Sequence, residues 1–196
     1  MYLTALAQQC APQVAPSTLA AIVQVESGGN PLVIWNNATR SRITFRSPEQ
    51  GAAYVRVAMA AGQKVDVGIA QVDTENFAQY GLTPLSAFNA CTNLWAGSEI
   101  LAADYRKTTA AYGPGEAALY HAFEAYNSGH LRGDAVYANR VLAAAGIPVQ
   151  MGSGGWLSYA WRPNAPLAFV ETWGGAKPAN AMSKPKKTAL AYSLNW

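Results

Sequence analysis

The chain has 196 residues, of which 51% are hydrophobic and 13% are charged, and its formal net charge is +3. This composition excludes an intrinsically disordered protein, and the length suits one domain with a sizeable core and room for an appended tail. No apolar run approaches the roughly 18 residues of a membrane-spanning helix, so we expect no stable membrane span.

The positive charge is unevenly distributed along the chain. Residues 1–148 carry nine Lys/Arg and ten Asp/Glu, whereas residues 149–196 carry five Lys/Arg and one Asp/Glu. A nucleic-acid-binding domain would present a basic face on its folded body. The distribution therefore predicts no nucleic-acid partner and assigns the basic character to the C-terminal segment.

The first segment, MYLTALAQQCAP, does not have the pattern of a signal peptide. It lacks a basic n-region, and Gln8 and Gln9 interrupt its short apolar stretch. If the protein is exported, we expect its leader to be absent from this chain, with Met1 standing where the leader was removed.

Residues 1–148 are predicted to form one mainly α domain. The first expected helix begins at Ser17 or Thr18 and ends near Glu26. A second begins at Ser47-Pro48-Glu49-Gln50, where a capping residue precedes Pro at the first helical position and Gln closes a capping box. Further helices are predicted over Asn93–Tyr112, from Pro114 to about Tyr126, and over Ala135–Ala145.

Two parts of the chain lack the helical pattern. LVIW and RITF flank Asn36-Asn37-Ala38-Thr39, which predicts a small β-hairpin near 32–46. After Pro148, Gly, Pro and Trp are scattered without periodicity. Residues 149–196 are therefore predicted to be an extended or flexible tail.

Glu26 occupies an unexpected position on its predicted helix. Leu19, Ile22 and Val23 lie seven, four and three residues before it, so all four side chains share one face. A carboxyl group held against apolar walls has a raised pKa and can serve as a general acid. The alternative is an ordinary glutamate at a helix end that turns toward solvent, and the spacing alone leaves both open.

A second helix ends in a similar way, since its apolar stripe finishes at Tyr126 and is followed by NSGH. Two acidic residues, Asp66 and Asp73, bracket the segment GIAQV. His121 and His130 have no ligands at a metal-binding spacing, so no metal site is predicted. The remaining acids considered are expected to be solvated: Glu49, Glu75, Glu99, Asp104, Glu116 and Glu124.

The two cysteines, Cys10 and Cys91, are far apart and match no metal-binding spacing. They can form a disulfide in an oxidising compartment or remain as two buried thiols. Their positions in the sequence do not distinguish these possibilities.

Three motifs occur in a fixed order, and together they resemble the lytic transglycosylases of the goose-lysozyme-like (SLT-type) superfamily. They are ESGGNP at Glu26–Pro31, GIAQ at Gly68–Gln71, and AYNSG at Ala125–Gly129. The chain is most similar to the subfamily associated with type IV secretion and conjugation systems. That similarity rests on CAPQVAPSTLAAIVQVESGGNP, on DVGIAQV, on the Cys in NACTNL, and on the long insert between Pro31 and Asp66.

The resemblance implies an α+β lysozyme-like fold and a periplasmic enzyme without a cofactor. It assigns Glu26 as the sole catalytic acid and base, and it makes Cys10–Cys91 a disulfide. The implied reaction cleaves the β-1,4 bond between N-acetylmuramic acid and N-acetylglucosamine and leaves a 1,6-anhydromuramoyl end. The implied partners are peptidoglycan glycan strands and, through the tail, proteins of the secretion apparatus. The residues expected to line the sugar cleft are Ser27, Gln71, Tyr126 and Asn127.

Asp73 departs from the pattern, because the subfamily commonly has Asn at this position. We expect Asp73 to be a polar substrate-binding residue, but a second carboxylate would also suit a lysozyme-type hydrolase. A third possibility is a non-catalytic peptidoglycan-binding assembly factor. That possibility is favoured by the tail's SKPKK cluster and its tryptophans, Trp156, Trp161, Trp173 and Trp196.

Overall fold

The structure is a computed structural model that describes residues 2–147, 150–151 and 157–158. The described part contains helices and strands that alternate in the first half of the chain, followed by three consecutive helices. The helices are α1 (Tyr2–Cys10), α2 (Pro16–Glu26), α3 (Pro48–Ala60), α4 (Ala90–Tyr112), α5 (Glu116–Ser128) and α6 (Ala135–Ala144). The strands are β1 (Val33–Asn36), β2 (Ser41–Thr44), β3 (Val65–Val67), β4 (Val72–Asp73), β5 (Gln150–Met151) and β6 (Leu157–Ser158).

The predicted mainly α domain with a small hairpin is confirmed, although some helix starts differ. Helix α2 begins at Pro16 after Ala15, and no side chain caps it, so the expected caps at Ser17 or Thr18 were wrong. Proline suits this position because its fixed φ is already helical and it has no N–H to leave unpaired. At α3, Ser47 Oγ accepts a hydrogen bond from the Gln50 N–H as expected, while Gln50 Oε1 accepts from the Arg46 N–H.

Helix α1 was not predicted, although Leu3, Leu6, Ala7 and Cys10 have the helical spacing i, i+3, i+4 and i+7. In the structure its buried side chains include Ala7 and Cys10. Cys10 forms a disulfide with Cys91 in the first turn of α4, with a Cα–Cα distance of 5.1 Å. The disulfide implied by the resemblance is therefore present.

The hairpin β1–β2 belongs to a larger antiparallel sheet with the order β2-β1-β3-β4. In the turn between β1 and β2, the buried Asn36 Oδ1 accepts hydrogen bonds from the Ala38 and Thr39 N–H groups. This local bonding is the reason that asparagine favours such turns. Strands β3 and β4 have three and two residues, too few for their alternation to be recognised in the sequence.

The sheet has two chemically different faces. Its inner face buries Ile34, Val67 and Val72 in the hydrophobic core. The core continues between the helices, where apolar side chains from α2, α4, α5 and α6 are fully buried. The largest of these include Leu19, Ile22, Leu94, Leu101, Leu119, Phe123 and Leu142. The outer face of the sheet is left to form one wall of a cleft.

Of the predicted tail, the structure describes only β5 and β6, which pair with each other in an antiparallel register. The rest of the prediction for residues 149–196 lies outside the described residues. Across the described part of the chain, no helix combines the length and the apolar character needed to cross a membrane.

Candidate active site

A cleft of about 1100 Å³ lies between the outer face of the sheet and the helices. Of the residues that the sequence motifs single out, Glu26, Gln71, Tyr126 and Asn127 line this cleft. Asp73 also lines it, from β4 on the sheet side. Residues separated by up to 101 positions in the sequence are thus brought to one surface.

Glu26 is the last residue of α2, and its carboxyl group is held at the cleft by α6. The Tyr137 hydroxyl donates a hydrogen bond of 2.5 Å to Glu26 Oε1. Burial raises the pKa of Glu26 from 4.5 to about 7, and the hydrogen bond from Tyr137 opposes this increase. Nearby Asp66 raises the pKa further, while Arg140 and Arg42 lower it. A carboxyl group with this pKa can both donate and accept a proton near neutral pH.

The end of α2 is fixed from two sides. Gly28 and Gly29 adopt positive φ values of 63° and 85°, which turn the chain away immediately after the helix. Arg42 on β2 donates hydrogen bonds of 3.1 Å to the carbonyl oxygens of Glu26 and Ser27. A cation bonded to the last carbonyl groups is favoured by the helix dipole. These contacts position the backbone that carries the Glu26 carboxyl group.

Ser27 does not line the cleft, although the resemblance implied that it would. Its side chain is buried, and its hydroxyl lies 2.7 Å from the Ile69 carbonyl oxygen, to which it donates. The Ser27 Oγ in turn accepts a hydrogen bond of 3.1 Å from the Gly29 N–H. Ser27 therefore joins the end of α2 to the GIAQ segment from behind the cleft wall, where a sugar cannot reach it.

Gln71 lies in the left-handed region with φ of 49°, which is uncommon for a residue other than glycine. Its Nε2 donates hydrogen bonds to the carbonyl oxygens of Gly68 (2.7 Å) and Val33 (3.2 Å). The buried Asn93 amide holds the same loop, accepting from the Ala70 N–H and donating to the Val67 carbonyl oxygen. The strained conformation is therefore maintained by contacts from both β1 and α4.

Tyr126 connects α5 to this loop. Its hydroxyl donates a hydrogen bond of 2.7 Å to the Ala70 carbonyl oxygen, and its ring stacks on Tyr137 at a centroid distance of 6.4 Å. Burial raises the pKa of Tyr126 well above its ordinary value. Tyr126 therefore remains a neutral hydrogen-bond donor and supports both the loop and the aromatic ring that contacts Glu26.

Asn127 is exposed, and its Nδ2 donates to Asp134 Oδ2 at 2.9 Å. Asp134 is the N-cap of α6, because its Oδ1 accepts from the Tyr137 N–H. Asn127 thus fixes the start of the helix that carries Tyr137.

Tyr137 was not identified from the sequence. It lies 111 positions from Glu26, outside the three motifs. The available signal was its helical spacing with the buried Val141, which indicates a core position and not a polar contact. Only the packing of α6 against α2 brings its hydroxyl to the carboxyl group.

Asp66 and Asp73 are direct cross-strand partners on β3 and β4. Burial, followed by the charge of Asp73 and a hydrogen bond between the two side chains, raises the pKa of Asp66 to about 7. Asn37 Nδ2 donates to Asp66 Oδ2 at 3.0 Å, which lowers this pKa. The Asp66 carboxyl group can therefore hold a proton near neutral pH.

Three acids that were expected to be solvated are buried instead: Asp104, Glu116 and Glu124. Asp104 pairs with Lys107 at 2.9 Å, and Glu124 Oε2 lies 2.6 Å from His121 Nδ1. Glu116 Oε1 has no hydrogen-bond partner among the described residues, and burial raises the pKa of Glu116 to about 7. Position along a helix did not predict the solvent exposure of these three acids, because neighbouring elements cover their side chains.

Within the described residues, no group of three or more His, Cys, Asp or Glu side chains could hold a metal ion. The polar groups that line the cleft include the Glu26 carboxyl, the Gln71 amide and the Arg42 guanidinium. A buried carboxyl group beside a cleft, such as that of Glu26, is suited to donating a proton to a bound substrate.

The comparison with known families agrees with this geometry. Residues 4–140 match the Transglycosylase SLT domain family, and this match includes every cleft residue described above from Glu26 to Arg140. The chain belongs to the SLT transglycosylase family. The SLT domain thus accounts for most of α1, for α2 to α5, for the four-stranded sheet, and for the part of α6 that carries Tyr137.

Several curated proteins are similar to this SLT domain. The type IV secretion system protein virB1 of Brucella abortus biovar 1 is 39% identical over 150 residues, covering 72% of this chain and 63% of that protein. Protein virB1 of Agrobacterium fabrum is 38% identical over 123 residues, covering 63% of this chain and 50% of that protein. The chain thus spans between about half and 63% of the length of these relatives. No solved structure matches it significantly.

Proposed function

We propose that this protein is a peptidoglycan lytic transglycosylase that cleaves the β-1,4 bond between N-acetylmuramic acid and N-acetylglucosamine. The observation that carries the proposal is the Glu26 carboxyl group, which lies at a large cleft with a pKa of about 7. Membership of the SLT family supports the same activity.

In the first step, the protonated Glu26 carboxyl donates its proton to the glycosidic oxygen. The bond between this oxygen and C1 of the muramoyl unit breaks as positive charge develops at C1 and the ring oxygen. The leaving N-acetylglucosamine unit departs with a free 4-hydroxyl. Glu26 is now a carboxylate, which the Tyr137 hydroxyl stabilises by its hydrogen bond.

In the second step, the Glu26 carboxylate removes the proton from the C6 hydroxyl of the same muramoyl unit. The C6 oxygen forms a bond to C1, and the product carries a 1,6-anhydro ring. Glu26 regains its proton, so the enzyme returns to its starting state without water entering the reaction. A pKa near 7 suits one residue that must act in turn as acid and as base.

Gln71, Tyr126 and Asn127 are proposed to support the bound glycan. Gln71 lines the cleft on the fixed loop after β3, and Tyr126 and Asn127 line it on helix α5. Because the Tyr126 hydroxyl is bonded to the Ala70 carbonyl oxygen, its first role is to hold that loop in place. Side chains held by rigid elements position a substrate better than mobile ones.

A lysozyme-type hydrolase with Asp73 as second carboxylate is less well supported. Asp73 Oδ1 accepts hydrogen bonds from the Glu75 N–H (2.8 Å) and from Thr74 Oγ1 (3.4 Å), so it caps a short helix. The Asp73 side chain is also hydrogen-bonded to that of Asp66. A nucleophile or general base in a hydrolase would need an ionised carboxylate aimed at the sugar.

The cellular role that we propose is local opening of peptidoglycan in the periplasm for a type IV secretion or conjugation system. Its support is the similarity to the virB1 proteins, since the names of the Brucella relatives specify type IV secretion. We further propose that proteins of the secretion apparatus contact residues 149–196, which carry most of the net positive charge.

The products formed from purified sacculi test the reaction directly. Mass spectrometry should find 1,6-anhydromuramoyl ends after digestion with the full chain. Reducing muramic acid ends would show a hydrolase, and the absence of released fragments would show a binding protein. Either of these outcomes would overturn the proposed activity.

Glu26→Gln removes the titrating proton and keeps nearly the same shape. We expect the rate of fragment release to fall by roughly 10²–10⁴-fold, because general acid and base catalysis is lost. Glu49→Gln is the matched control, since Glu49 lies in the first turn of α3 and not in the cleft. Similar rates for the two variants would show that Glu26 is not the catalytic acid.

A further inference from the structure

Four side chains form one row across the outer face of the sheet. Trp35 on β1 is opposite Arg42 on β2 and opposite Asp66 on β3, and Asp66 is opposite Asp73 on β4. Directly opposed residues of antiparallel strands project from the same face. All four line the cleft that contains Glu26, so the row forms a continuous wall beside the proposed acid.

Trp35 is the large apolar member of this row, and 38% of its surface is exposed. Its opposed neighbours are charged, while Ile34 on the other face of the same strand is fully buried. An exposed indole in a polar cleft contributes less to folding than a buried one, because its apolar surface remains in contact with water. That surface is available to a ligand.

The row has the chemistry needed to bind a pyranose ring. The C–H groups of such a sugar form an apolar face that can lie against an aromatic ring, and its hydroxyl groups project around the edge. The adjacent Asp66 and Asp73 supply oxygen atoms that can accept hydrogen bonds from those hydroxyl groups. In its protonated form, Asp66 can also donate a hydrogen bond to a sugar oxygen.

The charges in the row discriminate between the two sugars of peptidoglycan. N-acetylmuramic acid carries a lactyl group that ends in a carboxylate or a peptide stem, whereas N-acetylglucosamine is neutral and smaller. The Arg42 guanidinium already donates to the carbonyl oxygens at the end of α2. On the side of β3 and β4, the wall next to Trp35 presents the carboxyl groups of Asp66 and Asp73, which favour the neutral sugar over one with a negative substituent.

We propose that Trp35, Asp66 and Asp73 form a binding subsite for an N-acetylglucosamine unit adjacent to the muramoyl unit at Glu26. This inference rests on the proposed function and specifies which sugar of the strand the sheet recognises. None of the three residues belongs to the ESGGNP, GIAQ or AYNSG motifs. The subsite therefore consists of residues on the strands of the sheet that lie outside these motifs.

The test uses full-length protein carrying Glu26→Gln, so that binding is measured without cleavage. Tri-N-acetylchitotriose, which contains only N-acetylglucosamine, is titrated by isothermal calorimetry. Adding Trp35→Ala should weaken binding by about tenfold, from the loss of aromatic contact area. Trp35→Phe should retain most of the affinity, because it preserves an aromatic face.

Trp95→Ala provides the matched control, because Trp95 is 40% exposed but does not line the cleft. It should bind chitotriose as tightly as the parent. Equal binding by the Trp35→Ala and Trp95→Ala variants, or no binding by the parent, would overturn the subsite. Circular dichroism verifies that both variants are folded.

A second measurement separates this inference from the proposed activity. With Glu26 intact, Trp35→Ala should raise KM for soluble, peptide-free glycan strands by about tenfold and change kcat by less than about threefold. An unchanged KM, with anhydromuramoyl products still formed, would overturn the subsite alone. If wild-type protein forms no anhydromuramoyl products, the proposed activity itself is wrong.

Discussion

At the scale of single residues, the protonation of Glu26 depends on opposing interactions. Burial raises its pKa, whereas the hydrogen bond from Tyr137 stabilises the carboxylate and lowers the pKa. The value of about 7 is the result of this balance. Because the protonated form starts the reaction, kcat/KM should fall as the pH rises above about 7.

Tyr137→Phe removes the hydroxyl that favours the charged form of Glu26. The pKa of Glu26 should therefore rise, and the alkaline decrease of kcat/KM should move to higher pH. The rate at pH 6 should fall by roughly tenfold, since the carboxyl group loses the contact that orients it. A pH series of kcat/KM on soluble glycan strands measures both effects.

The control for this variant is Tyr112→Phe, which removes a hydroxyl that accepts a hydrogen bond from Arg132 Nε away from the cleft. It should leave the pH profile unchanged. A shift of the alkaline decrease to lower pH in Tyr137→Phe would contradict the role assigned to the Tyr137 hydroxyl.

At the scale of secondary structure elements, the cleft depends on the close approach of α4, α5 and the GIAQ loop. Gly97 lies inside α4 where these three meet. A Cβ atom at this position would lie 2.8 Å from the Ala70 Cβ and 2.8 Å from the Tyr126 hydroxyl oxygen. The absence of a side chain at Gly97 therefore allows Tyr126 to reach the Ala70 carbonyl oxygen.

Gly97→Ala should lower the free energy of unfolding by about 1–3 kcal/mol, as expected for overpacking in a core. At an exposed helix position, Gly→Ala would instead raise the free energy of unfolding by roughly 0.5–1 kcal/mol. A decrease therefore indicates that the new Cβ atom clashes with Ala70 and Tyr126. Urea denaturation measures the difference. Activity should also fall, because Tyr126 and the loop that carries Gln71 are displaced.

Combining Gly97→Ala with Tyr126→Phe gives a double-mutant cycle. If the alanine Cβ clashes with the Tyr126 hydroxyl, removing that hydroxyl relieves the clash. The double variant should then lose less unfolding free energy than the sum of the losses in the two single variants. Strict additivity in urea denaturation would show that the hydroxyl is not the obstructing group.

The extent to which sequence predicts this architecture differs between elements. Helices α3 to α6 were predictable because local signals mark them, such as Ser47 and Pro48 at the start of α3. The hairpin β1–β2 was recognised from its turn. Strands β3 and β4 were missed, since they are short and form only by pairing with β1 and with each other.

The site shows the same division between local and tertiary information. Glu26 could be selected because its apolar neighbours are close in the sequence. Tyr137 could not, because its contact with Glu26 exists only when α6 packs on α2. Ser27 was expected to line the cleft and Glu116 to be exposed to solvent, but both are buried. Their burial depends on neighbouring elements that no local pattern identifies.

At the scale of the whole molecule, the end of α1 is covalently joined to the start of α4 by the Cys10–Cys91 disulfide. The closed loop includes α2, the whole four-stranded sheet and α3, and thus Glu26, Gln71 and Asp73. Gln13 reinforces this junction, because its Nε2 donates to Glu99 Oε1 at 2.8 Å. The disulfide therefore restricts the unfolded state of the segment that forms one side of the cleft.

Replacing both cysteines by serine should lower the free energy of unfolding by about 4.5 kcal/mol, the chain-entropy value for a loop of this length. The urea m-value should rise as well, because an unfolded chain without the cross-link exposes more surface. Urea denaturation monitored by circular dichroism measures both quantities, and reduced wild-type protein should match the variant. A loss below about 1 kcal/mol with an unchanged m-value would mean that the unfolded chain is already compact without the cross-link, so that the disulfide adds little to stability.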